Sequence, residues 1–215
     1  MPDNPVYRPT DFPNQLGYLQ LSAKDIVSQI VNYHLTFPQV RDKRVEWGIH
    51  FPPFINAFYN YVHQKRRIPT QEEYFQFYLK VNSDFFSDGR FDQTIYRGLQ
   101  ARLYRTYPSL VRDIHFNKLL ESSNRGYEIV YNLDLDLAYD IDAMLIKDGQ
   151  YWAACLYTQT RRGNFARAKK VYRHTRFLNV NYVEFPVELE DNRKVGEFFL
   201  YGEPEITELF SHIEK

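Results

Sequence analysis

The sequence predicts an α/β protein with a helical N-terminal region followed by a mixed central sheet flanked by helices. Apolar residues recur at helical spacing up to about residue 122, whereas after Gly126 apolar and polar residues alternate with a period of two. Asp148-Gly149 then marks a tight turn of the kind that joins the strands of a hairpin. The predicted parts are an extended arm over residues 1–20, a helical region over 21–97 and an α/β domain over 98–215.

Composition narrows the class of protein. With 215 residues, 44% of them hydrophobic, the chain can build a core without disulfides. Its single cysteine, Cys155, fits a reducing cytoplasmic setting and is expected to be a buried small residue. The N terminus does not resemble a signal peptide, and no apolar run approaches the ~20 residues of a membrane span. We therefore expect a cytoplasmic protein with no membrane association.

Charge and aromatic content give two further indications, one about the class of protein and one about where the aromatic side chains lie. The 27 basic and 27 acidic side chains argue against a strongly basic nucleic-acid coating protein. The 18 tyrosines and 17 phenylalanines exceed what a core usually needs. We expect most tyrosines to be buried, and the others to lie at the surface, at an internal domain contact or in a binding groove.

Local signals place three helices in the first half. Ser22 is suited to begin a helix that Pro38 ends, and a second helix follows Pro53. The third begins after Thr70, where Thr70 and Glu73 have the spacing of a capping box. A fourth, longer helix runs from about residue 98 to 122.

Pro108 predicts a bend or a restart in that long helix. Beyond it, Asp134 and Asp136 alternate with leucines, which indicates an exposed face or edge of the sheet. Strands are predicted near residues 127–132, 139–146, 151–158, 181–189 and 197–201, and helices near 163–174 and 204–213.

Two sets of charged residues are candidates for chemistry. Asp140 and Asp142 are expected on one face of the same short strand, where two carboxylates repel and call for a partner such as Arg161 or a metal ion. Seven basic residues lie between positions 161 and 176, on and beside a predicted helix, and this segment either holds a DNA backbone or is simply a solvated face. The expected phosphate contacts are Arg161, Arg162, Lys169, Lys170 and Arg173.

The order of these elements carries a family resemblance. Asp113 on the long helix, the strand beginning Gly126-Tyr127-Glu128-Ile129, Asp140-Ile141-Asp142 and the segment from Leu156 to Arg161 together resemble the PD-(D/E)xK, or restriction-endonuclease-like, superfamily. The resemblance covers roughly residues 103–189 and is closest in rhythm to Holliday-junction resolvases. It implies an αβββαβ core and a Mg²⁺-dependent deoxyribonuclease, with Asp142, Asp113 and Asp140 as the metal ligands.

The same resemblance implies a degenerate active site. Tyr157 occupies the position of the second acid, and Gln159 occupies the position of the lysine. Asp142 is the third catalytic residue that the resemblance implies. Tyrosine is too weak an acid to bind a hard cation readily at neutral pH, and glutamine carries no charge.

Two functions therefore remain open. One is a nucleic-acid-associated protein, including a DNA nuclease with an atypical site. The other is a catalytically inert module that binds a protein partner or a second copy of the chain through its aromatic surface.

Overall fold

The computed structural model describes residues 11–87, 89–158, 179–188 and 193–214, and it is a mixed α/β protein, which confirms the predicted class. Its α-helices are α1 (Ala23–Ile30), α2 (Phe54–Lys65), α3 (Gln71–Val81), α4 (Ser83–Phe86), α5 (Gln93–Ser122), α6 (Leu133–Tyr139) and α7 (Glu203–Ile213). A π-helical turn spans Arg44–Gly48. The strands are β1 (Glu128–Val130), β2 (Ala143–Lys147), β3 (Gln150–Thr158), β4 (Val180–Val187), β5 (Lys194–Val195) and β6 (Phe198–Phe199).

The chain forms two compact units. The sheet unit comprises Met1–Tyr18, His115–Arg193 and Leu200–Lys215, and the helical unit comprises Leu19–Ile114 and Lys194–Phe199. Among the described residues, no helix combines the length and the apolar character needed to cross a bilayer. The predicted three-part division of the chain stays a prediction.

The sheet unit is organised around β1 to β4, which lie in that order. β1, β2 and β3 are antiparallel neighbours, whereas β4 runs parallel to β3, so the sheet is mixed as predicted. Asp148 and Gly149 have positive φ angles of 51° and 75°, and Lys147 pairs with Gln150 across them. This confirms the predicted hairpin, because a type I′ turn needs two such residues. The predicted helix near 163–174 lies outside the described residues.

Apolar side chains cover both faces of this sheet. On one face Val130, Met144 and Ala153 pack with Leu135 and Tyr139 of α6. Cys155 belongs to this cluster and is only 8% exposed, so its predicted burial is confirmed. On the other face β4 contacts α7, where the Phe185 ring lies 6.0 Å from that of His212.

Helix α6 replaces the predicted sheet face or edge over residues 133–137. The Asn132 side chain accepts the Asp134 N–H at 2.8 Å and begins the helix. Leu135 and Tyr139, one helical turn apart, are buried, and acidic residues in the first turn suit the helix dipole. An alternating pattern this short also fits a helix, and the next strand therefore begins only at Ala143.

Part of the N-terminal arm is fastened to β1. The Gln15 N–H donates to the Tyr131 carbonyl at 2.7 Å, and the Asn14 side-chain amide donates to the Ile129 carbonyl at 2.9 Å. The buried Lys118 ammonium donates to the Leu16 carbonyl at 2.9 Å. Residues 14–16 therefore satisfy polar groups of the sheet unit as an additional strand would.

Tyrosine hydroxyls tie the helical unit together. Four of them donate to backbone carbonyls in or beside the proline-containing segments that precede α2 and α3. Burial raises the pKa of Tyr74, Tyr78 and Tyr107 above the usual range, which fits hydroxyls that serve as neutral donors. The pairs are Tyr33 with Ile68, Tyr74 with Phe54, Tyr78 with Pro52, and Tyr107 with Pro69.

Helix α5 passes through Pro108 as one helix, so the predicted restart there is wrong. Proline has no N–H, which leaves the Tyr104 carbonyl without its usual donor. The buried Gln71 side chain donates to that carbonyl at 3.1 Å, and its Oε1 accepts the Thr36 N–H at 2.7 Å. A side chain from α3 thus completes the hydrogen bonding of α5.

We expect Gln71→Leu to lower the free energy of unfolding by about 2 kcal/mol or more, because it leaves the Tyr104 carbonyl and the Thr36 N–H without partners. Urea denaturation at neutral pH measures this loss. Gln76→Leu is the matched control, since Gln76 lies exposed on the same helix. Equal stability of the two variants would contradict the assignment.

Candidate functional site

Asp142 lies one residue before β2 rather than within a strand. Its N–H donates to the Ala154 carbonyl at 2.9 Å, and its Oδ2 accepts the Leu156 N–H at 2.6 Å. Hydrogen bonds to a carboxylate are stronger than those between neutral groups. The carboxylate therefore fastens the start of β2 to β3.

Asp140 does not share a strand face with Asp142. It ends α6 in the left-handed region, with φ 56°, and its N–H donates to the Asp136 carbonyl at 3.0 Å. The following residue, Ile141, donates back to the Leu135 carbonyl at 3.1 Å. The predicted pair on one strand is wrong because α6 occupies the residues on which that strand was expected to begin.

Asp113 belongs to the helical unit, whereas Asp140 and Asp142 belong to the sheet unit. Burial raises the pKa of the Asp113 carboxyl above its usual range, and the Arg112 guanidinium, with Nε 3.9 Å from Oδ1, partly opposes this shift. In the part of the chain that the structure describes, no three His, Cys, Asp or Glu side chains form a group that could hold a metal ion. The described residues alone therefore supply fewer than three such ligands at any one place.

Strand β4 places a second carboxylate, that of Glu184, near this region of the sheet. Register pairs Cys155 with Glu184 of β4, and Tyr157 with Pro186. Because alternate residues share a face and directly paired residues lie on the same side, Cys155, Tyr157 and Glu184 share one face. Glu184 could not be selected from its position in the sequence, because only the parallel pairing of β4 with β3 brings it there.

The other predicted site residues lie on a single stretch of chain. Gln159, Arg161, Arg162, Lys169, Lys170 and Arg173 lie outside the described residues, and their roles stay predictions.

The helical unit contains an aromatic cleft that the sequence interpretation missed. A cavity of about 390 Å³ is lined by Gly48, Ile49, His50, Phe85, Arg90, Phe91 and Ile95. A cavity of about 220 Å³ shares Ile49 and His50 with it. We call the larger cavity, with the rings around it, the aromatic cleft.

Four half-buried phenylalanines surround the aromatic cleft: Phe51, Phe85, Phe86 and Phe91. Their ring centroids lie 5.1 to 6.3 Å apart. The Arg90 guanidinium lies 4.8 Å from the centroids of both Phe85 and Phe91. The signal in the sequence is the density of aromatic residues at positions 47–58 and 85–96.

No protein-family model matches the chain, and no curated protein or solved structure matches it significantly. Its function must therefore be inferred from the geometry of the described residues together with the sequence between β3 and β4.

One ionisable group in the sheet unit, His115, has a shifted pKa although it belongs neither to the region around Asp142 nor to the aromatic cleft. His115 of α5 is 5% exposed, and its Nδ1 has no hydrogen-bond partner among the described residues. Burial lowers its pKa to about 4 from the ordinary value of 6.5. The folded protein therefore holds a neutral imidazole under conditions in which the unfolded chain begins to bind a proton.

We expect acid to destabilise the protein through His115. Between pH 6.5 and about 4 the unfolded state binds the extra proton, so the stabilisation is complete above pH 6.5 and is lost as pH falls through this window. Relative to His115→Gln, the wild type should lose up to about 3 kcal/mol of unfolding free energy across that range. Urea denaturation at several pH values measures the difference, to which Asp113 contributes equally in both proteins. Parallel profiles would contradict the prediction.

Proposed function

We propose that this chain is a nucleic-acid-associated protein on a restriction-endonuclease-like core, with an atypical Mg²⁺-dependent deoxyribonuclease site at Asp142. The observation that carries the proposal is the position of Asp142, at the start of the central hairpin and bonded to the neighbouring strand at Leu156. The order of helix α5, strand β1, the β2–β3 hairpin and parallel β4 supports it. Helix α6 is an addition to the order that the resemblance implies.

The second carboxylate of the proposed site is Glu184. Asp142 precedes β2 directly, and Glu184 lies on β4, so a single strand separates them. Neighbouring strands are spaced by about 4.8 Å, which places the two backbone positions roughly 10 Å apart. Asp142 and Glu184 would hold one divalent cation across that separation. The cation would supply an activated water as the nucleophile.

Tyr157 has a different role in this proposal. A phenol hydroxyl can donate a hydrogen bond. On the face that also carries Glu184, it is suited to bind a phosphate oxygen or a metal-bound water. Gln159 follows two residues later in the sequence and stays the proposed replacement for the lysine.

The chain that joins β3 to β4 supplies the proposed DNA contacts. It leaves the sheet after Thr158 and returns at Val180. Arg161, Arg162, Lys169, Lys170 and Arg173 all lie on it, and they are the proposed partners of backbone phosphates.

A second candidate function is the inert interaction module, which binds a protein partner or a second copy of the chain. Exposed apolar side chains of the helical unit favour it, among them Phe37 at 46% and Val40 at 37% exposure. This module requires no Mg²⁺.

We expect Asp142→Asn to reduce Mg²⁺- or Mn²⁺-dependent cleavage of branched and linear DNA by at least about 100-fold, the scale of losing a group that stabilises transition-state charge. Glu184→Gln should act in the same direction. Asparagine at position 142 keeps an oxygen that can accept the Leu156 N–H, so folding is preserved. Gel analysis of DNA products against metal concentration measures the effect.

Asp148→Asn is the matched control, because it removes one carboxylate from the turn at the other end of β2 and leaves an Asn-Gly turn. Its cleavage should equal that of the wild type. Asp142→Ala separates the two roles of the residue, since losing the acceptor for Leu156 should also cost about 1–3 kcal/mol of stability. Equal cleavage by the wild type and Asp142→Asn, or absence of metal-dependent cleavage by the wild type, would reject the nuclease site.

We expect Lys169→Gln with Lys170→Gln to weaken duplex DNA binding and to lower the slope of log K against log salt by about 2, one unit for each phosphate contact. Fluorescence anisotropy at several salt concentrations measures both. Lys24→Gln with Lys80→Gln is the control, because it removes the same charge from exposed positions on α1 and α3. Identical slopes for the two double variants would show that the segment after β3 is only a solvated face.

A further inference from the structure

We propose that the helical unit carries a separate site for single-stranded nucleic acid, in which Trp47 and the aromatic cleft stack with unpaired bases. The site uses neither Asp142 nor the basic segment after β3. It therefore stands or falls independently of the nuclease proposal.

Trp47 is the most exposed large hydrophobic side chain among the described residues, at 84% of its surface. It lies on the π-helical turn, directly before Gly48 of the aromatic cleft. Such turns are rare and are found frequently at functional sites. An unpaired base offers this exposed indole an aromatic face on which to stack.

The turn that presents Trp47 is fixed on both sides. Arg44 binds the Asp42 carboxylate at 2.7 Å and that of Asp92 at 3.1 Å. The Val45 carbonyl accepts a hydrogen bond from Arg102, and the Glu46 carboxylate pairs with Arg105. Gly98 permits close packing of α5, since a Cβ there would lie 3.0 Å from a Val45 methyl. The backbone that carries the exposed indole is thus held in place before any ligand arrives, which lowers the entropy cost of binding.

The aromatic cleft has the chemistry for stacking. The Phe85 and Phe91 rings lie 5.4 Å apart at an interplanar angle of 25°, and the planar Arg90 guanidinium lies over both. Aromatic rings combined with arginine bind bases with little sequence preference, because every base has a π face. A volume of about 390 Å³ is within the range of small-molecule sites.

Charge favours a nucleic acid over an apolar protein segment, because the lining of the aromatic cleft includes the cationic Arg90. In the sequence of the helical unit, fourteen lysines and arginines stand against ten aspartates and glutamates, an excess of four positive charges in a chain that is neutral overall. Lys43 and Arg97 are exposed in this unit. A polyanion gains affinity from this excess by counterion release, whereas an uncharged partner does not.

The experiment uses the full chain and an oligothymidine of about 15 nucleotides, at about 50 mM salt and without divalent metal. Trp152→Phe leaves Trp47 as the sole indole, so its fluorescence reports stacking directly. We expect saturable quenching by the oligonucleotide and less by a duplex of equal length. Trp47→Ala should weaken binding about 10-fold by anisotropy, the scale of losing one stacked base, and Trp47→Phe should retain most of the affinity.

Tyr18→Ala is the control, because Tyr18 is an aromatic residue 58% exposed in the sheet unit. Its affinity should match that of the wild type. Absence of quenching, or equal binding by Trp47→Ala, would overturn the proposal. So would self-association of the wild type that Trp47→Ala abolishes without any oligonucleotide binding, because it would assign the surface to a second copy of the chain.

Discussion

The helical unit depends on side chains that satisfy backbone carbonyls beside prolines. Pro108 deprives the Tyr104 carbonyl of its donor, and the Gln71 amide replaces it. Tyrosine hydroxyls likewise donate hydrogen bonds to carbonyls in the segments before α2 and α3, which belong to no helix or strand. A buried carbonyl without a donor costs more than a typical hydrogen bond contributes, so these contacts decide whether the helices can pack at all. Much of the tyrosine content therefore serves the fold, which does not account for the exposed Trp47 or for the half-buried phenylalanines of the aromatic cleft.

The sheet unit uses the same principle, and this changes the meaning of Asp142. Its carboxylate accepts the Leu156 N–H where β2 has not yet begun to pair regularly with β3. A carboxylate has about four lone-pair sites, so accepting a backbone N–H does not by itself prevent it from binding a cation. A structural role and a metal-binding role are therefore compatible in one side chain. They differ in what each requires, because the first needs only an oxygen acceptor and the second needs the negative charge.

The features of this fold that were predicted correctly depend on interactions between residues close together in the sequence. The capping box at Thr70 and Glu73 and the Asp148-Gly149 hairpin need only a few neighbouring residues, and both are present. The prediction of a sheet face or edge where α6 lies is wrong, because a short Leu–Asp alternation fits both the helical and the strand period. The Asn132 cap and the packing of Leu135 decide between the two. The site was less predictable still. Glu184 shares a face with Tyr157 only through the pairing of β4, and the aromatic cleft joins segments about forty residues apart in the sequence. The spacing of these residues along the sequence indicates neither of these two arrangements.

Charge is divided unevenly between the two units, and this limits how each can meet a polyanion. The sequence of the sheet unit has thirteen basic and seventeen acidic side chains, and seven of the thirteen lie between residues 161 and 176. Without that segment the unit would be strongly acidic and would repel phosphate at the range of a Debye length. Contact of DNA with the proposed Asp142 site therefore requires the basic segment, a divalent cation, or both. The helical unit has an excess of positive charge and needs neither. The two proposals, binding of single-stranded nucleic acid and cleavage at Asp142, are therefore separable, because they depend on different residues and predict different responses to metal ions.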